Sequence, residues 1–259
     1  MAEIIGQERT ETPAIELEAV GRRFSGGVEA LAGIDLAIQP GDFHALTGPS
    51  GCGKTTILRL IAGLDQPSSG RVTVRPRRLA YCFQDHRLLP WRTLEANVAL
   101  PLEFNGVPSA ERAERARVAL ERVGLESARD RLPAACSGGM CMRASVARAL
   151  VDTPDLLLLD EPFGALDEVT REELDDMLLG LWDSDGMTIL LVTHSIREAT
   201  YLARRVSVMG VDPGRIILEQ SIHLGVRDQD TRTGAPFNEQ VRILQQALEH
   251  GAPMNGGGS

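Results

Sequence analysis

One short run constrains this chain more than any other feature: Gly48-Pro49-Ser50-Gly51-Cys52-Gly53-Lys54-Thr55, in which two glycines enclose four residues and are followed by Lys and Thr. Glycines at that spacing let successive backbone N–H groups turn inward around phosphate oxygens, and the positive end of a following helix favours the same anion. The flanks suit the motif. Phe43 to Thr47 reads as a buried strand, and Thr56 to Ala62 as an amphipathic helix ended by Gly63. Lys54 is placed to reach the outer phosphates of a nucleotide, and Thr55 to ligate Mg²⁺.

Composition narrows the partners. At 259 residues the chain can bury a full core, and its formal net charge of −9 argues against coating nucleic acid, which wants clustered Lys and Arg. Arg71, Arg75, Arg77 and Arg78 form a local basic cluster that reads as a solvated strand face. No apolar run approaches the roughly 20 residues that span a bilayer, so any membrane connection must run through a partner. Met1 to Gly6 lacks the basic start and apolar core of a signal peptide, and a cytoplasmic place is expected. The cysteines, Cys52, Cys82, Cys136 and Cys141, show no zinc or disulfide spacing and are read as reduced thiols, with Cys52 a candidate for alkylation that abolishes nucleotide binding.

Along the chain, Ala14 to Val20 and Leu31 to Ile38 alternate like antiparallel strands ahead of the first parallel strand at Phe43. Phe24 lies between them, where it either packs in the core or stacks on a purine. Arg71 to Val74 and Leu79 to Phe83 read as short strands, with Gln84 ending the second. The apolar knot Leu88-Leu89-Pro90-Trp91 is either a satellite core or a partner surface. Thr93 to Gly106 and Ser109 to Val123 read as a helical insertion, and Met140 to Leu150 as a helix that Ser137 caps, with Gly138 and Gly139 at its start offering N–H groups to an anion.

Asp155 to Leu159 is an apolar run typical of a strand buried on both faces, and it ends in Asp160-Glu161, at the sheet edge where an open parallel sheet holds its ligand. Asp160 suits Mg²⁺ and Glu161 suits polarising a water for attack on phosphorus. His194, at the end of the strand Met187 to Thr193, is a candidate for the γ-phosphate. Helices are expected at Asp175 to Trp182, Glu198 to Ala203 and Phe237 to Glu249, and strands at Val206 to Met209 and Arg215 to Glu219 around Asp212-Pro213-Gly214. The terminal Gly256-Gly257-Gly258-Ser259 reads as a tail.

Together the phosphate loop, Gln84, Cys136-Ser137-Gly138-Gly139-Met140, Asp160-Glu161, Gly164-Ala165-Leu166-Asp167 and His194 resemble an ATP-binding-cassette ATPase subunit, over roughly Ala14 to Glu219. The resemblance implies an α/β fold: a P-loop NTPase core with a parallel sheet, an N-terminal antiparallel β subdomain and a helical signature subdomain. The expected ATPase domain is 14–222, with the helical part at about 86–150, followed by a C-terminal helix and tail at 223–259. It implies that Phe24 stacks on adenine and that Gly48 to Thr56 bind ATP, with Lys54, Thr55 and Thr56 on phosphates and metal. Gln84 would sense Mg²⁺ and water, Asp160 support the metal, Glu161 be the general base and His194 contact the γ-phosphate. Asp167 would communicate across a dimer in which Ser137, Gly138 and Gly139 clamp the ATP of a second copy.

The segments Phe83 to Thr93 and Asp160 to Asp167 further resemble importer ATPases that serve nitrate, aliphatic sulfonates and taurine. That implies a peripheral place on the cytoplasmic face, with Leu88, Leu89, Pro90 and Trp91 meeting a membrane permease. A solute-binding protein in the same system and no nucleic acid are expected. An exporter or lipid-transport subunit, and a soluble non-transport ATPase, are the alternatives. The chain departs from the family at Cys136, where leucine is usual, a change of size and polarity that a packed site tolerates, and at Cys141-Met142, where a polar pair is usual; loss of those polar groups is expected to weaken contacts at the dimer seam or around ATP and to leave a slow activity.

Overall fold

The computed structural model describes residues 12–164 and 166–251. The strands are β1 (Ile15–Arg23), β2 (Glu29–Ile38), β3 (Phe43–Thr47), β4 (Ser69–Val74), β5 (Leu79–Cys82), β6 (Leu156–Asp160), β7 (Thr188–Thr193), β8 (Arg205–Gly210) and β9 (Arg215–Ser221). The helices are α1 (Lys54–Ile61), α2 (Leu94–Val98), α3 (Leu100–Phe104), α4 (Ser109–Arg122), α5 (Gly138–Leu150), α6 (Glu168–Asp185), α7 (Ile196–Leu202) and α8 (Ala235–Gly251). Two sheets result. A three-stranded antiparallel sheet runs β2-β1-β4, and a six-stranded sheet runs β5-β6-β7-β3-β8-β9, parallel except for β9.

The apolar runs explain the larger sheet. β3, β6 and β7 are buried at every position, because side chains alternate between two covered faces. Phe43, Leu157, Leu159, Ile189 and Leu191 enter the core shared with the helical insertion and α5 to α8. Leu46, Leu156, Leu158, Leu190 and Val192 enter the core shared with α1 and the antiparallel sheet. The helix α8 buries Phe237, Val241 and Leu244 in the first of these cores. The tail 256–259 lies outside the described residues.

Three readings change. The helical pattern from Thr93 to Gly106 is interrupted at Ala99, and Pro101, whose ring belongs in a first turn, opens α3. The helix expected at Asp175 begins at Glu168, because Asp167 caps it by accepting from the Thr170 N–H at 3.0 Å. Leu88 is 6% exposed and packs in the first core. It is therefore a core residue, and the partner surface expected of Leu88 to Trp91 falls to Pro90 and Trp91, the latter 73% exposed, with Leu89 half-buried beside them.

Candidate nucleotide site

The order β5-β6-β7-β3 brings four loops side by side at the carboxyl ends of the parallel strands. Cys82 pairs with Leu159, Asp160 with Val192, and Thr47 with Thr193, so the residues that follow each strand start level. A cavity of about 550 Å³ opens there. Phe24, Ser50, Gly51, Gly53, Lys54, Thr55, Thr56, Gln84 and Glu161 all line it.

The loop is tight at its two ends, where Gly48 and Gly53 leave no room for a side chain. A Cβ on Gly48 would sit 2.7 Å from the Met209 carbonyl, and one on Gly53, at φ +96°, would sit 2.5 Å from the Leu31 side chain. Lys54 is buried, with its Nζ donating to the Gly48 and Pro49 carbonyls at 2.7 and 3.0 Å. That ties the first two carbonyls of the loop to the ammonium and backs the turn with a positive charge, a cradle that fits nucleotide phosphates. Cys52 departs from expectation. It is 1% exposed and its side chain packs in the second core, while burial pushes its thiol pKa up against the opposing charge of Lys54. Alkylation of the native loop is therefore disfavoured.

Thr55 Oγ1 donates to Asp160 Oδ1 at 2.9 Å, which sets a hydroxyl and a carboxylate oxygen together at the end of the phosphate cradle, with Gln84 on the same cavity wall. Hard oxygen donors in this arrangement fit Mg²⁺. The other Asp160 oxygen accepts from the Tyr81 hydroxyl at 2.9 Å. Burial and the adjacent carboxylate raise the Tyr81 pKa, so Tyr81 stays a donor. Sequence reasoning missed this residue, although alternation along β5 and β6 puts Leu79 and Tyr81 on the same sheet face as Leu156, Leu158 and Asp160.

Glu161 holds φ at +45°, a left-handed conformation that costs a non-glycine residue about 1–3 kcal/mol. Its N–H donates to the Val192 carbonyl at 2.8 Å, and its Oε2 lies 3.0 Å from His194 Nδ1. Gly164 permits this approach, since a Cβ there would stand 3.3 Å from His194 Cε1. Beneath them Glu198 is buried, and burial raises its pKa against the hydrogen bond from Thr193 and the charges of Arg171 and His194. Arg171 in turn donates to the Phe163 and Leu166 carbonyls at 3.3 and 2.8 Å, so one charged network underlies the His194 turn and the Asp167 loop.

The remaining expected residues lie away from the cavity. Ser137 caps α5 by accepting from the Met140 N–H at 3.2 Å, and Ser137 and Gly138 are exposed. A Cβ on Gly139 would meet Thr170 Cγ2 at 2.6 Å, so this turn packs on the residue whose hydroxyl donates to Asp167 at 2.8 Å. The Thr170 N–H holds the Asp167 carboxyl below the usual range. Cys141 and Met142 are buried in the first core, and the Cys141 thiol donates to the Pro133 carbonyl. Their departure from the polar pattern is thus a change of packing, and the weakening expected at an exposed seam does not apply to these two side chains. Asp212, Pro213 and Gly214, read only as a turn, form part of the cavity wall. Half of the cluster at Arg71 to Arg78 is neutralised, with Arg75 paired to Glu16 and Arg78 to Asp155.

Residues 31–164 match the ABC transporter family. The chain is 47% identical over 227 residues to an aliphatic sulfonates import ATP-binding protein of a Mycobacterium species, covering 88% of this chain and 91% of that one. It is 42% identical over 234 residues to an uncharacterized ABC transporter ATP-binding protein of Methanocaldococcus jannaschii, covering 87% of each. Among solved structures, a dimeric ATP-binding cassette in a post-hydrolysis state with ADP and Pi aligns at a TM-score of 0.72 and 31% identity, over 82% of this chain and all of that one. A subunit of the cbiONQ ABC transporter complex from Clostridium perfringens aligns at 0.75 and 26% identity, over 92% and 98%.

Proposed function

Since the chain belongs to the ABC transporter family and is one of its ATPases, we propose that two copies drive a membrane importer for a small organic anion of the aliphatic sulfonate type. The relative that shares 47% of its residues carries that role in its name, and a solved cassette of similar fold is a dimer. The observation that carries the paired reading is the exposed Ser137-Gly138 turn, which stands outside this chain's own nucleotide cavity yet packs through Gly139 on the Asp167 loop.

In that pairing Phe24 stacks on adenine, with Arg22 lying over its other side at 4.7 Å. The N–H groups of the loop and Lys54 hold the phosphates, and Thr55, Asp160 and Gln84 hold the Mg²⁺. The bound MgATP supplies an activated γ-phosphoryl group for in-line attack by water. Glu161 takes the proton from that water at its carboxylate, oriented by His194, whose ring is held 3.0 Å away. Ser137, Gly138 and Gly139 approach the phosphates of the second copy's ATP and Asp167 faces the seam. Hydrolysis by one copy alone is accordingly slow.

The permease surface is best offered by a groove of about 540 Å³ between β5 and the helical insertion, lined by Tyr81, Phe83, Leu100 and Phe104. Phe104, on the groove, is 81% exposed and Trp91, outside its lining, 73%, and each offers apolar surface to an amphipathic partner helix. The test is reconstitution in liposomes with a permease and solute-binding protein of the aliphatic sulfonate import type. ATP-driven inward transport of a sulfonate is expected, with assembly lost in Trp91→Ala/Phe104→Ala. Outward transport, or unchanged assembly in that double variant, would sink the respective part.

A further inference from the structure

The edge where the parallel strands begin, opposite the nucleotide cavity, carries a second concentration of charge. Arg205 opens β8, Arg204 precedes it, and Arg227 comes from the segment after β9. Together with Asp42, Ser221 and His223 they line a depression of about 490 Å³. Three guanidinium groups and an imidazole gathered in a chain of net charge −9 call for a counter-charge. The ordinary explanation, paired surface arginines, covers one of them: Arg205 Nη1 lies 3.3 Å from Glu219 Oε1.

The other two have no such partner. Among the described residues no carboxylate lies within ion-pair distance of Arg204 or Arg227. Arg204 is exposed, its guanidinium lying over the Trp182 ring at 4.6 Å. Arg227 donates through Nη2 to the Ala203 carbonyl at 2.7 Å, while its Nε is buried with no acceptor. Burial and the neighbouring Arg204 depress its pKa, against the charges of Asp183 and Tyr201. A buried N–H on a charged group that lacks an acceptor, beside a second guanidinium, is a costly arrangement when left alone. Asp42 does not answer it, since its Oδ2 accepts from the Gln39 N–H at 3.3 Å and it pairs with neither arginine. The N–H groups of His223 and Leu224 likewise have no protein acceptor among the described residues.

We propose that this depression binds a small tetrahedral oxyanion, inorganic phosphate or sulfate or the headgroup of an organic sulfonate, between Arg204 and Arg227. Guanidinium groups present forked donors that match two oxygens of such an ion at once. One ion seated between them would offset and bridge the two like charges that face each other without a carboxylate. The position carries a structural consequence. Ala203 ends α7, the helix that follows His194, so an ion that fixes Arg227 also fixes the far end of that helix.

Because the phosphate loop also attracts oxyanions, the test uses the full chain with its nucleotide cavity filled by a non-hydrolysable ATP analogue and Mg²⁺. Phosphate, sulfate and ethanesulfonate are titrated by calorimetry and by thermal melting, against chloride at matched ionic strength. One-to-one binding by at least one of them is expected, weakened about tenfold or more in Arg204→Glu and Arg227→Gln, since each removes a charge-assisted contact. Which of the three binds identifies the source. Arg204→Glu changes an exposed side chain and loses only its stacking on Trp182, so it is expected to fold and to melt within about 4 °C of the parent without anion, and it decides the matter should Arg227→Gln fail to fold. A response no larger than that of chloride, or unchanged affinity in Arg204→Glu, would overturn the site. ATP hydrolysis by the parent chain is independent of either result, so this failure is distinct from failure of the importer reading.

Discussion

Two glycine-rich turns open helices in this protein, and one of them is complete where the other is half of something. The turn at Gly48 to Gly53 is closed from below by buried Lys54 and from the side by Thr55 and Asp160, all from one chain. The turn at Ser137 to Gly139 has its cap, an exposed Ser137 and Gly138 and a close seat on Thr170, and among the described residues no lysine reaches into it as Lys54 does into the first. Similar backbone chemistry thus serves two ends. A phosphate site needs converging charge as well as a helix N-terminus, and in the proposed pairing the second turn meets that charge in the nucleotide site of another copy.

The sharpest way to break that comparison is to disable each turn separately. Lys54→Ala is expected to remove detectable ATP binding from the isolated chain, read by fluorescence of a labelled nucleotide. Gly138→Asp, at a position where a Cβ meets only Leu166 Cδ2 at 3.7 Å, is expected to leave that binding intact and lower hydrolysis at least about tenfold. Loss of binding in Gly138→Asp would mean that the two turns share one nucleotide within a chain.

A smaller effect tests the seat of the second turn. Gly139→Ala forces a Cβ to 2.6 Å from Thr170 Cγ2 and is expected to cost about 1–3 kcal/mol of stability in urea unfolding. Thr170→Ser removes that methyl while keeping the hydroxyl that donates to Asp167, so the double variant should recover most of the loss. Additive losses would place the strain elsewhere.

The cysteines give the mildest contrast. Cys52, Cys82 and Cys141 are buried with raised thiol pKa values, whereas Cys136 beside the second turn is only half-buried. Brief iodoacetamide treatment followed by peptide mass spectrometry should modify Cys136 first and leave ATP binding nearly unchanged. Early labelling of Cys52 would show that the phosphate loop opens in solution.

Much of this was legible from the residues. Runs such as Phe43 to Thr47 and Leu156 to Leu159 announce strands buried on both faces, because nothing polar interrupts them, and the phosphate loop and Asp160-Glu161 announce the ligand edge. What stayed hidden depends on pairs distant in sequence. Tyr81 and Asp160 meet only because β5 lies beside β6, Asp212 to Gly214 join the cavity only because β8 and β9 fold next to β3, and Arg227 meets Arg204 only at the sheet's opposite edge. Leu88 belongs with them: its apolar knot fits a satellite core or a partner surface equally well in sequence, and only the helices that cover it decide for the core, against the permease contact that the resemblance implies.

The most direct measurement is Mg²⁺-dependent ATP hydrolysis by the purified chain across protein concentration, with Glu161→Gln in parallel and each sample also run by gel filtration with ATP. The expected result is a rate per molecule that rises with concentration, a loss of about a hundredfold or more in Glu161→Gln as befits removal of a general base, and a dimer trapped by that variant. A rate per molecule independent of concentration, with Glu161→Gln remaining monomeric in ATP, would contradict the pairing of the two turns.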